Sequence, residues 1–535
     1  MFAYTITDFI SFVKSNFLLI ISLTVVTYVI QYYVNYFNRS SRIPGPFPLP
    51  FIGNLHQIGG DLSSAANLFQ KRYGDLYEFY MGNKRIIVIS RPDLVEKVWG
   101  PLSLKSTRFI MRNPFSEGLD ELGLGTKGMV FNRDIESWNM NRKLLVPSIS
   151  SPPFLRESIK LCSEIIDEVF ECWKIMGEGA QVEFSDWIDA LTADVVIRTA
   201  TGKKVSSITK LFDSLNIKEK LEMQGVWQDG TDFIQAIHTY NESMGFMMLL
   251  PTFFRRNFPG IGKLNKKFLD NRDWIIKELD KMVAERRREI ESIPLDQPLE
   301  QTILTLLLVT NTERDSKKNS SSKLDRPLTN EEIIPIIREV FTGGLDTTAN
   351  TLSFIGFYIA KHRDVYLKMR KEVLDVYGTL DNPNITFESY GKLKYIEAVI
   401  NESIRIFPTV SIIARTSVEE EEFDGFTIQP DTAIYTDFKA LGNDPKYFKE
   451  PEIFNPDRFF NDKESIGKYS HLPFGNGVRM CPGRLWAIVQ MKTFLVKLLC
   501  KFDIEPVCEN DIPKYVYATV NRPVDIKLLL KTRKD

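Results

Sequence analysis

The sequence predicts a mainly α-helical body with small β-sheets behind one N-terminal transmembrane helix. Three observations predict it. Phe17 to Val34 is an 18-residue apolar run broken only by Ser22, Thr24, Thr27 and Gln31. Helical segments recur over Lys263–Ser292, from Thr329 to about His362, and over Leu485–Phe502. Strand signals come only in short pairs, such as Leu76–Tyr80 with Arg85–Ser90, split by Gly82-Asn83.

Composition bounds the function. The 535 residues are 43% hydrophobic and 26% charged, with a net charge of -1, and a near-neutral chain lacks the basic face of a nucleic-acid binder. Cysteines 162, 172, 481, 500 and 508 are sparse, odd in number and unpatterned, which suits a reducing compartment without a disulfide framework.

Extended through Phe37, the first apolar run is long enough to cross a bilayer core of about 30 Å as a helix. Tyr28, Tyr32, Tyr33, Tyr36 and Phe37 cluster toward its end as an interfacial aromatic belt, and Arg39 and Arg42 follow. Against Lys14 and Asp8 on the other side, that bias puts the bulk of the chain in the cytosol. No small-residue cleavage site precedes Arg42, so the segment reads as an uncleaved anchor. The expected division is residues 1–38 as anchor and 39–535 as catalytic body. Pro44-Gly45-Pro46-Phe47-Pro48-Leu49-Pro50 reads as a stiff spacer between them.

Gly123-Leu124-Gly125-Thr126-Lys127-Gly128 matches G-x-G-x-x-G, but acidic residues rather than a strand precede it and no βαβ pattern surrounds it. It is expected to be a loop, so no nicotinamide or flavin site is readable and electrons must come from another protein. Trp138 and Arg142 stand four apart, on one face of a helix. Met244–Phe254 is an apolar cluster ending at Arg255-Arg256, either buried or lying on the membrane surface. Arg286-Arg287-Arg288 reads as solvated surface and Glu313–Arg326 as a flexible polar loop. Thr329 with Glu332 forms a capping box, and Pro335 is expected to delay or bend the helix that follows. Gly343 and Gly344 each cost roughly 1 kcal/mol against alanine there, which suggests a need for space. Glu402 and Arg405 share a helical face in Tyr395–Phe407.

Phe474-Gly475-Asn476-Gly477-Val478-Arg479-Met480-Cys481-Pro482-Gly483 carries the chemistry. Gly475, Gly477 and Gly483 permit positive φ, so backbone amides can be aimed at the sulfur. With Arg479 and a helix N-terminus near Pro482, they are expected to favour thiolate over thiol. Zinc needs clustered ligands, and Cys481 has none: His471 lies ten positions away. A tetrapyrrole brings four equatorial nitrogens and needs one axial thiolate, so haem fits and zinc does not.

F-G-x-G-x-R-x-C-x-G resembles the haem-binding signature of the cytochrome P450 monooxygenases, of the eukaryotic membrane-anchored type. The resemblance implies haem b with Cys481 as axial iron ligand, Phe474 and Arg479 in the same loop, and Trp138, Arg142 and Arg415 facing the propionates. It makes Asp346 and Thr347 of Gly343-Gly344-Leu345-Asp346-Thr347-Thr348 an acid–alcohol pair on the opposite face, with Gly343 widening the groove. Glu402, Arg405 and the Arg458 of Pro456-Asp457-Arg458-Phe459 would form a structural ion network. Val410, Ile412 and Ile413 would face a lipophilic substrate, with Tyr517 and Thr519 adding to the pocket from the last strand pair. The implied activity inserts one atom of O2 into a small molecule. NADPH would act only through a separate reductase, docked where Lys143, Lys468 and Arg484 form a basic patch, and the implied location is the endoplasmic reticulum. Two alternatives stay open: a haem-thiolate isomerase or dehydratase of peroxides, against which Asp346-Thr347 weighs, and a non-catalytic haem-based binder of apolar ligands.

Overall fold

The structure is a computed structural model that describes residues 15–104, 106–112, 116–125, 127–215, 217, 225–315, 326–461, 466–509, 512–517 and 520–533. Lys14, Thr126, Thr519 and residues 316–325 of the polar loop lie outside the described residues.

One helix organises the body. Asn330–Lys361 opens on the Thr329–Glu332 capping box and runs without interruption through Pro335, which neither delays its start nor ends it. Its buried side chains include Ile336, Phe341, Leu345, Leu352, Phe354 and Ile359, spread around its circumference, as expected of a helix enclosed by others. Phe184–Thr201 and Arg484–Lys501 pack on it, and Pro152–Met176 packs on those two. Their contacts are largely aromatic: Trp173 lies 6.2 Å edge-on from Trp187, and Phe170 lies 5.1 Å edge-on from Phe502. The Gly230–Leu249 and Pro259–Ser292 helices pack together on the other side. Arg286, expected in solvent, instead turns inward to Thr305 and pairs with Glu289 and Glu300.

Beside this bundle stands a four-stranded sheet ordered Leu76–Met81, Lys84–Ile89, Ala433–Asp437, Ile412–Thr416. Its central pairing is parallel and the outer two are antiparallel. Side chains alternate across it: Ile87, Ile89 and Ile434 pack with Val95 and Trp99 on one face, while Tyr77, Phe79 and Tyr435 pack with Ala65 and Phe69 on the other. The remaining strands form two- and three-stranded sheets, including the Lys514–Tyr517 and Asn521–Val524 pair.

Phe17–Phe37 is a single helix, long and apolar enough to cross a membrane. Its last turns differ from the expected aromatic belt, because they dock on the body. Tyr28 stacks on Phe51 at 4.2 Å, Tyr33 on Phe47 at 5.4 Å, and Tyr36 meets Tyr80 edge-on at 5.7 Å. Just beyond, Arg39 and Arg85 hold the buried Glu78 carboxylate at 2.7 and 2.6 Å. The proline-rich segment is therefore clamped rather than free: the Glu78 amide donates to Pro44 O, and a Cβ at Gly45 would stand 1.9 Å from Glu78 O.

Candidate active site

The cysteine loop is built by close approach. Gly475 and Gly477 take φ values of 70° and 69°. A side chain at Gly477 would place its Cβ 2.5 Å from Pro101 O, and one at Gly475 would meet the Trp99 ring at 2.9 Å. The Cys481 amide donates to Phe474 O at 2.9 Å and closes the loop. Gly483 departs from the expectation of positive φ. At -83° it caps the helix that starts at Arg484, two residues later than Pro482.

The expectation about the sulfur is also corrected. Burial is the largest influence on Cys481 and raises its pKa; the Gly483 amide, Arg112, Arg142 and Arg484 pull the other way without overcoming it. Arg479 turns elsewhere, donating to the carbonyls of Ile110, Met129 and Asn132 at 2.8, 2.9 and 3.3 Å. The chain alone thus holds a thiol, and the thiolate forms when a metal displaces the proton.

Between this loop and the Asn330–Lys361 helix lies a mostly apolar cavity of about 750 Å³. Cys481, Phe474, Trp138, Arg142 and Arg479 line it with Gly343 and Thr347. So do Val410, Ile412, Ile413 and Tyr517, along with Met244, Phe246 and Met248 from Met244–Phe254. Gly343 faces open space, with nothing within 4 Å of a Cβ built there, whereas Gly344 sits in ordinary contact with Val196 at 3.5 Å. Thr347 donates its hydroxyl to Gly343 O at 2.7 Å. Asp346 points elsewhere. Its carboxylate lines a second cavity of about 540 Å³, held by His238 Nδ1 at 2.8 Å and by the Asn241 amide at 2.6 Å. Burial alone would raise the Asp346 pKa, but the His238 hydrogen bond and charge, with Asn241, outweigh it and hold it below the ordinary value.

Arg112, Arg142 and Arg479 line the main cavity, and Arg415 lies behind them, close to Arg112 and Arg479. Arg479 lies 3.9 Å over the Trp138 ring, and Arg415 lies 3.8 Å over Trp99. Arg415 Nη2 and Arg112 Nε are buried without a hydrogen-bond partner, and among the described residues no carboxylate forms an ion pair with any of the four. Burial, then the proximity of Arg112 and Arg479, pushes Arg415 far below the ordinary arginine value. Four desolvated cations in mutual repulsion mark a site built for an anion.

The sequence model of the cytochrome P450 family matches residues 43–530. The chain belongs to that family. Cytochrome P450 3A31 of Mesocricetus auratus is 28% identical over 480 residues, 89% of this chain and 88% of that protein. Cytochrome P450 3A5 of Homo sapiens is 27% identical over 476 residues, 88% of this chain and 87% of its own. Cytochrome P450 3A28 of Bos taurus is 27% identical over 510 residues, 95% of this chain and 94% of its own. This cytochrome P450 is a haem monooxygenase, and the family implies a redox partner, oxygen and a lipophilic substrate. The residues present fit haem. Two propionates would supply the anions that the arginine cluster lacks, Cys481 stands at the cavity wall as its one cysteine among the described residues, and the apolar lining suits the macrocycle.

Behind the loop, Glu402 receives Arg405 Nε at 2.7 Å and Arg458 Nε at 3.1 Å, with the Asn455 amide at 2.8 Å. Arg405 also donates to Gly442 O at 2.7 Å. Three residues escaped sequence reasoning. Arg112 sits alone in an irregular segment, where no spacing marks it. His238 meets Asp346 only through the packing of two helices remote in sequence. His471, buried with Nε2 unpartnered and pushed down to about 3 by burial and Arg405, lines the main cavity.

Proposed function

We propose that this cytochrome P450 is a single-pass protein of the endoplasmic reticulum, with residues 1–38 as anchor and 39–535 as a cytosolic catalytic domain. It takes electrons from NADPH through a separate reductase and inserts one atom of O2 into a lipophilic small molecule; the other leaves as water. The observation that carries this reading is the apolar cavity lined by both Cys481 from the loop and Thr347 from the helix. Haem, when bound, supplies oxygen binding and electron storage.

This chain's residues supply the rest. Cys481 gives the axial sulfur. Arg112, Arg142 and Arg415, with Trp138 beside them, receive the propionates, while Arg479 braces the loop from behind and Phe474 packs at its edge. Gly343 leaves room on the helix for a small diatomic molecule and water. Thr347 holds its hydroxyl at the cavity wall, and Asp346 behind it carries protons inward. Val410, Ile412 and Ile413 exclude water from the substrate's side. Phe253, 65% exposed just beyond the cavity-lining Met248 and Leu249, extends the contact with the bilayer. Lys143, Lys468 and Arg484 are exposed, and Arg484 follows Cys481 by three residues, which supports docking on the sulfur's side.

The carbon monoxide difference spectrum of the reduced protein tests the sulfur. A thiolate-ligated Soret band is expected. Cys481→Ala should abolish it, and a haem-loaded Cys481→Ala protein with an unchanged spectrum would overturn the assignment. NADPH-dependent oxygen uptake with reductase present then separates a monooxygenase from an enzyme that only rearranges peroxides.

A further inference from the structure

We propose that the second cavity is the proton inlet of this enzyme, and that His238 is the positioning residue that loads Asp346 from it. The inference rests on the reading of Asp346 and Thr347 as the proton-delivering pair. Ionisable residues crowd the cavity wall: Glu183, Asp186, Asp189, His238, Asp346 and Arg522 all line it. Exposure falls from mouth to floor. The Arg522–Asp189 ion pair, 3.0 Å long, has side chains 48% and 21% exposed, whereas those of His238 and Asp346 are 17% and 14% exposed. Asn350, one helical turn beyond Asp346, is 98% buried by its 2% exposure, and its Nδ2 has no hydrogen-bond partner although it lines the cavity. A water held by Asn350 and Asp346 has the two polar partners that buried water requires. Asn241, Glu242 and Val520 line both cavities, which puts the acid's cavity next to the one on which Thr347 stands.

The charges facing His238 keep it loaded. Burial would lower its pKa, but the hydrogen bond and charge of Asp346, then the charge of Asp189, raise it against the opposition of Arg522. Glu183, Asp186, Glu242 and Asp525 complete the ionisable groups around the same space. The pair is thereby biased toward imidazolium and carboxylate. The Nδ1 proton passes to Asp346 Oδ1, leaving neutral imidazole and neutral carboxylic acid. Rotation about the Asp346 side-chain bonds carries that acid toward Thr347, where its proton passes to the Thr347 hydroxyl oxygen as the hydroxyl releases its own proton into the main cavity. The bared Nδ1 takes a replacement proton from cavity water, and the carboxylate swings back. One proton enters for each one delivered, and no electron moves.

The chain has only four histidines, so a ring-labelled holoenzyme in its diamagnetic carbon monoxide form gives an assignable NMR titration. His238→Gln should remove one signal that titrates above the ordinary histidine value, and Asp346→Asn should lower that signal's midpoint. A wild-type His238 that titrates at or below the ordinary value overturns the inference. In parallel, chemically reduced enzyme is mixed with oxygenated buffer across pH 6–9, in water and in deuterium oxide. His238→Gln should slow reoxidation by about a hundredfold, at the low end of what a positioned proton donor supplies, and flatten its pH dependence. If Asp346→Asn slows reoxidation while His238→Gln keeps the wild-type rate and pH profile, the inlet is wrong and the role of Asp346 stands. If Asp346→Asn changes neither, the acid–alcohol reading falls as well.

Discussion

At the scale of single residues, Arg112 shows how burial converts charge into recognition. It donates to Arg479 O at 2.8 Å, yet its Nε is buried without a partner. Hydrogen bonds to charged groups contribute roughly 1.5–3 kcal/mol each, so Arg112→Ala should speed haem loss by about tenfold or more. Haem transfer to a heme-scavenging globin measures it, and an unchanged rate would remove Arg112 from the site. This residue also marks a limit of sequence reading. Cys481, Gly475 and Gly477 were legible because their chemistry is local: one loop fixes all of them. Arg112 depends on a fold that brings four distant cations together, and nothing within its own segment signals that. The thiol state of Cys481 was misjudged for the same reason, since burial is a property of the folded chain.

Whole elements carry two further expectations. Glu402 is fully buried between Arg405 and Arg458, tying the Lys394–Ile406 helix to the segment before the cysteine loop. Glu402→Ala would strand a buried guanidinium and should cost about 3–5 kcal/mol, read as a lowered denaturation midpoint. Glu339 latches the glycine-rich loop to the central helix. It accepts the amides of Met129 and Val130, and a Cβ at Gly128 would stand 2.6 Å from its carboxyl. Burial raises its pKa from 4.5 to about 7. An acid whose folded pKa is raised loses stability as pH climbs, here from the unfolded value near 4.5 to about 7. Glu339→Gln should flatten the fall in melting temperature over that window; an unaltered slope would show that Glu339 does not titrate there. Helix extents were the readable part of these elements, from capping boxes and apolar runs. Their partners were not: Glu339, about one turn before Gly343, matched no motif, and Pro335 suggested a delayed start that the helix, opening at Asn330, does not have.

Across the whole molecule, electrons and protons would approach from different sides. Arg484 with Lys143 and Lys468 lies on the cysteine side, while the polar second cavity opens past Arg522. Reversing the charge at Lys143, Lys468 and Arg484 together should slow reductase-driven haem reduction at low ionic strength by about tenfold or more, since steering accelerates encounter by 10–10³. Stopped-flow reduction measures it, and an unchanged rate would move the docking surface elsewhere. The docked anchor adds a constraint the sequence did not convey: the proline-rich segment looked like a spacer because the ion pairs that clamp it involve Glu78 and Arg85, tens of residues away.

The arginine cluster has one more consequence, for the life of the protein in a cell. A chain that has lost its porphyrin carries unneutralised repulsion at its centre, and a ligand that binds only the native state adds its own binding free energy to the native fold. Inactive copies are therefore also the least stable ones, and turnover machinery that samples partly unfolded chains would clear them first.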